Sequence, residues 1–209
     1  MKMSKSVLLA QLVSFVFHPL FMPLYAVLLY FRLSPRYFLP QNVQFLVYYL
    51  VLVSIIIPLL FIFLLKHSGV LTGFTLKFVR ERLFFSTIMA TVYLIIFTKI
   101  IRFHYYIELY PFFLGIFLSL LTLTIYNYFK KKPSIHAMAT AGILTFFIIW
   151  SYYSQVNILS YVSLMIIISA VVIAMRLYID AHDFKQILTG LLVGIGAQIL
   201  SFYLVWLFF

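Results

Sequence analysis

Apolar residues fill this chain in long blocks, and no polar stretch between them is long enough to make a soluble domain. A block of roughly twenty apolar residues crosses a bilayer as a helix, because lipid offers no partner for backbone N–H and C=O groups. That ruler predicts about seven spans, near 7–31, 43–65, 84–102, 108–129, 135–153, 157–177 and 186–208. Hydrophobic residues make up 66% of the chain and charged residues only 9%, which excludes a single soluble core. The expected fold is all-α: a polytopic membrane helix bundle of six to seven transmembrane helices, one domain over 1–209. The lower number applies if the proline-containing first segment turns back within the membrane. That first segment outruns a signal-peptide core and has no small-residue cleavage site behind it, so it reads as retained.

The charge balance narrows the partners. Lys and Arg total 15 against 4 Asp and Glu, a net charge of +11. A nucleic-acid binder gathers such an excess on a soluble face, and these short loops offer none. Membrane lipids and their phosphates are the expected partners. With no cysteine in the chain, disulfides, thiolate metal sites and cysteine nucleophiles are excluded. An odd number of spans places 11 basic residues on the amino-terminal side and leaves Arg32, Arg36, Lys99 and Arg102 on the other. The positive-inside bias then puts the crowded face in the cytoplasm. Setting aside Lys77, Arg80, Arg82, Arg176 and Lys185 as phosphate ligands reduces the contrast to 6 against 4. The expected location is the bacterial cytoplasmic membrane.

The same parity brings three polar segments to one face: the 66–83 loop, Lys130–His136 (KKKPSIH) and Arg176–Gln186 (RLYIDAHDFKQ). Pro133-Ser134 before an apolar run is a helix-start signal, with Ser134 as the cap and His136 in the first turn. Asp183 through Gln186 has capping-box spacing and opens the last span just after His182. Two helix amino termini on one face favour an anion through their free N–H groups and positive dipole ends.

These segments resemble the second and third signature motifs of the type 2 phosphatidic acid phosphatases, integral-membrane lipid phosphate phosphatases. The family's second motif reads Pro-Ser-Gly-His. Pro133, Ser134 and His136 match it, with Ile135 in place of glycine. Its third reads Ser-Arg-x5-His-x3-Asp. Arg176 and His182 match with the gap intact, while Met175 replaces serine and Gln186 replaces aspartate. The first motif, Lys-x6-Arg-Pro, survives only as charge: Arg82 stands at the arginine position and Lys77 in for the lysine. Gly190 and Gly194 suit a closely packed last helix.

The resemblance implies a lipid phosphatase or phosphotransferase acting on a phosphate monoester or diphosphate through a phosphohistidine. His182 would attack phosphorus and His136 would protonate the leaving alkoxide, since imidazole titrates near neutral pH and serves either role. Arg176, Ser134, Arg82 and Lys77 would neutralise the phosphoryl oxygens. No cofactor is implied, and no ligand spacing suggests a metal. Gln186 can accept the second ring N–H of His182 but cannot supply the charge of the family aspartate. Losing an orienting carboxylate's charge costs on the order of 10²–10⁴ in turnover by analogy with the serine protease case. Asp180 or Asp183 could compensate if the loop folds back, although neither stands at the helical i+4 position.

Plainer readings stand beside these. Arg176 can snorkel to headgroups, Gln186 and Asp183 can serve as a cap alone, and Lys130–Lys132 suits a topology anchor. His18-Pro19 flags an intramembrane imidazole, read here as a packed, hydrogen-bonded histidine. His104 and Glu108 read as a surface pair. The rival functions are a non-catalytic relative that binds lipid phosphate and, behind it, a small transporter.

Overall fold

The structure, a computed structural model, describes residues 5–69, 78–101 and 106–208. Among them are eight helices: α1 (Lys5–Val16), α2 (Met22–Leu33), α3 (Pro40–His67), α4 (Val79–Ile100), α5 (Tyr110–Tyr128), α6 (Ile135–Ser154), α7 (Leu159–Tyr178) and α8 (Phe184–Phe208). The last six are long and apolar enough to cross a membrane. The bundle is therefore an all-α, polytopic membrane fold, and its spans from α3 onward lie close to the predicted ones.

The first segment differs from the single span expected over 7–31. It forms two helices of 12 residues each, broken between Phe17 and Phe21. Pro19 has no N–H to give a continuing helix, and its ring crowds the preceding turn. Pro23, in contrast, falls in the first turn of α2, where a missing donor costs nothing. A second proline acts within α3. Pro58 removes the donor that the Ser54 carbonyl would need, and the turns before it widen into a π-helical stretch over Val51–Ile56.

Lipid tails are as apolar as leucine, so these helices associate through close packing and buried polar contacts. α8 is the central element, packed on α6 and α5. Glycines set its approach. A Cβ at Gly190 would overlap the carbonyl oxygen of Ser134, and one at Gly194 would overlap that of Met138. Large aromatic side chains, among them Phe112, Phe113, Phe146, Phe147 and Trp150, fill the interior, while Phe45, Phe63, Leu164, Ile167 and Leu192 face outward.

At one end of the bundle Glu108 ties three elements together. Its Oε2 accepts from Trp150 Nε1 at 2.6 Å and from Tyr30 Oη at 3.0 Å, and its Oε1 pairs with Arg36 Nε at 2.8 Å. Glu108, expected on the surface, instead joins this inward cluster, in which its side chain is only 18% exposed. His104 lies outside the described residues. Arg36 is 53% exposed, so the ion pair itself contributes little. Glu108→Ala, however, orphans two shielded donors at about 1–3 kcal/mol each. We expect a loss on the order of 2–5 kcal/mol, read as a lowered Tm in detergent, with Glu108→Gln losing less because it keeps an acceptor.

Candidate functional site

The opposite end of the bundle gathers the predicted motif residues. Ser134 is fully buried at the start of α6, and its hydroxyl accepts from Ala137 N–H at 3.5 Å, the cap its Pro-Ser context predicted. Its own N–H donates to the carbonyl of Gln186 at 2.9 Å. That bond joins the second motif segment to the first turn of α8, and Gly190 one turn on lets the two backbones meet. Arg82, in the first turn of α4, donates from Nη2 to the Pro133 carbonyl at 2.8 Å. Three sequence-distant segments thus converge as the span parity required. Lys77, the stand-in for the family lysine, lies outside the described residues.

Two guanidiniums face this junction. Arg176, in the last turn of α7, acts electrostatically on Arg82, His18, His136 and His182. The Nε atoms of both Arg82 and Arg176 are buried without a hydrogen-bond partner among the described residues. Half-buried like charges with buried orphan donors are costly, and an anion bound between them would offset that cost.

His182 sits in the turn between α7 and α8, where Asp180 adopts a left-handed conformation (φ 51°) that aspartate tolerates. Its Nδ1 lies 2.7 Å from Gln186 Oε1. Gln186 Nε2 in turn donates to Asp183 Oδ2 at 2.9 Å, and Asp183 Oδ1 accepts from Gln186 N–H at 2.8 Å. A carboxylate only accepts, which fixes the glutamine amide with its oxygen toward the ring. His182 therefore carries its proton on Nδ1 and its lone pair on Nε2. Burial holds the ring below the usual histidine range, and Arg82 and Arg176 press the same way, while the bond to Gln186 and the charge of Asp183 oppose them.

His136 is 9% exposed, and its Nε2 lies 3.1 Å from the carbonyl of Ser14 in α1. A carbonyl only accepts, so Nε2–H donates, and α1 competes with any leaving group for that proton. His18 lies beside it with ring centroids 5.5 Å apart, edge to face. Leu20 N–H donates to His18 Nδ1 at 3.3 Å, which leaves His18 with an Nε2–H. From sequence alone His18 is flagged as an intramembrane imidazole and read as a packed, hydrogen-bonded histidine. The intramembrane His-Pro pair is the signal that points to it, and its position among the motif residues is what the fold adds.

Beside these polar groups runs an apolar cleft enclosing about 750 Å³, its open mouth included. Pro19, Leu20, Ile135 and Met138, sequence neighbours of His18 and His136, line it together with side chains of α4 and α5. No group of histidine and acidic side chains among the described residues has the arrangement to hold a metal ion.

A model of the PAP2 superfamily matches residues 83–209, more than half of the chain. The chain belongs to the PAP2 superfamily. The PAP2 match takes in Ser134, His136, Arg176, His182 and Gln186, and leaves α1, α2, α3 and Arg82 outside it. Membership of a superfamily whose members are generally phosphatases, together with six membrane-length helices, fits a lipid phosphatase family. No curated protein and no solved structure matches the chain.

Proposed function

We propose that this chain is a membrane-embedded phosphatase or phosphotransferase for a lipid phosphate monoester or diphosphate. The observation that carries the reading is one juxtaposition: two half-buried arginines with buried, unpaired Nε atoms, together with the hydrogen-bonded His182 and His136, next to an apolar cleft. Arg82 and Arg176 hold the phosphoryl oxygens, and the cleft takes the hydrocarbon chain. His182 Nε2 attacks phosphorus while the bond from phosphorus to the lipid oxygen breaks. His136, acting as the imidazolium, gives the leaving alkoxide its proton and becomes neutral. Water then attacks phosphorus, His136 takes its proton, the P–N bond breaks, and phosphate leaves with His182 restored.

The bond between His136 Nε2–H and the Ser14 carbonyl favours the rival, a relative that binds lipid phosphate without turnover. Incubating purified protein in detergent with phosphatidic acid, phosphatidylglycerophosphate and prenyl diphosphates separates the two. The phosphatase reading expects phosphate release above the blank, whereas saturable binding with no release supports the rival. The pH dependence is a second check. Because the nucleophile must be neutral and burial lowers its pKa from 6.5, activity persists as pH falls through 6.5. It is lost only below that value, as the ring protonates. An acid limb of kcat/KM centred at or above 6.5 would argue against His182 as nucleophile.

A further inference from the structure

The superfamily's third motif ends in an aspartate four residues after its histidine, and this chain has Gln186 there. We propose that Asp183 restores the missing orientation through the Gln186 side chain, making Asp183 the positioning residue for His182. The inference rests on the phosphatase reading for its kinetic consequence and on hydrogen-bond geometry alone for its structural one.

The chain of bonds runs from Asp183 Oδ2 to Gln186 Nε2 at 2.9 Å, then from Gln186 Oε1 to His182 Nδ1 at 2.7 Å. An amide is ambivalent, since either end can be turned toward the ring. Left to itself, Gln186 could present its NH₂ to His182 and drive the ring proton onto Nε2, removing the lone pair that attacks phosphorus. The acceptor-only carboxylate of Asp183 prevents that turn. Asp183 is exposed and its charge is screened, so its effect on His182 comes through the polarity of the amide more than through Coulomb attraction. This separates the arrangement from an ordinary capping box, in which the side chain at the third position reaches the backbone N–H of the cap. Here it reaches the cap's side chain.

Asp183→Asn tests this because asparagine caps helices as well as aspartate does. In that variant the side-chain oxygen keeps the bond from Gln186 N–H, but the new NH₂ group faces the Gln186 amide. That amide turns over and offers its own NH₂ to His182 Nδ1. Protein labelled with nitrogen-15 in its histidine rings, with His182 assigned by comparison with His182→Gln, is expected to change from the Nδ1–H to the Nε2–H tautomer. In the phosphate-release assay kcat is expected to fall by at least about 10², with KM changing by less than about twofold. In a Gln186→Asp background the carboxylate accepts directly from His182, and the further change Asp183→Asn is expected to cost less than about threefold.

An unchanged His182 tautomer in Asp183→Asn overturns the proposal. So does an equal loss of kcat in both backgrounds, which would make Asp183 a helix cap and nothing more. If the native chain releases no phosphate from any lipid, the phosphatase reading fails, and the tautomer measurement still decides the relay.

Discussion

Replacing His182 with alanine is expected to abolish phosphate release, a loss on the order of 10⁴–10⁶ in kcat, because no second group can take the covalent step. The fold should barely register the change. His182 is half-buried in a turn, and its one side-chain hydrogen bond among the described residues goes to Gln186, so about 1 kcal/mol is at stake. Arg82, Arg176 and Ser134 remain in place, and the alanine variant should still bind lipid phosphate. Three measurements check this together: phosphate release, acid-labile phosphate on the protein, and Tm in detergent. Equal release from both proteins would sink the enzyme reading. A large fall in Tm would mean that the histidine is structural.

Gly190→Leu is expected to be the next most damaging change, though its side chain touches no reacting group. Even a bare Cβ at this position overlaps the Ser134 carbonyl oxygen and lies 3.3 Å from the Ser134 nitrogen. The obstacle is backbone, so α8 must withdraw from α6. Withdrawal stretches the bond between Ser134 N–H and the Gln186 carbonyl, and carries His182 and Gln186 away from His136 and Arg82. Overpacking of this kind costs about 1–3 kcal/mol. A displacement of about 1 Å at the reacting centre costs on the order of 10² in rate. Gly196→Ala is the control, since a Cβ there meets nothing within 4 Å. It should leave rate and Tm near native values. Native activity in Gly190→Ala would show that the close approach of α6 and α8 does not set the site geometry.

Span parity, read from apolar block lengths alone, brings the three polar segments to one face, and the hydrogen bonds among Arg82, Pro133, Ser134 and Gln186 show how they meet. The cap at Ser134 is legible because its cause is local: a hydroxyl one turn before an unpaired N–H. The break after α1 is half legible, since Pro19 announces a lost donor but not whether the helix kinks or stops. His18 reads as packing because nothing near it in sequence says that it will stand against His136, more than a hundred residues away. The inward turn of Glu108 depends on Trp150 and Tyr30, and the chemistry of Gln186 on how a neighbouring cap side chain orients an amide. Such choices are made by contacts that no periodicity encodes.

The hydrogen bonds from His136 to the Ser14 carbonyl and from Tyr178 to the Ser6 hydroxyl join positions 122 and 172 residues apart. During synthesis α1 and α2 leave the ribosome long before α6 and α7 exist to receive them. Contacts at such separations form late, after the intervening helices have inserted. The two histidines that meet beside α1 therefore come together only in a finished molecule. A partly made chain already in the bilayer carries the early half of the cluster with nothing to complete it, so the timing of whatever this site does is written into the order in which its helices are born.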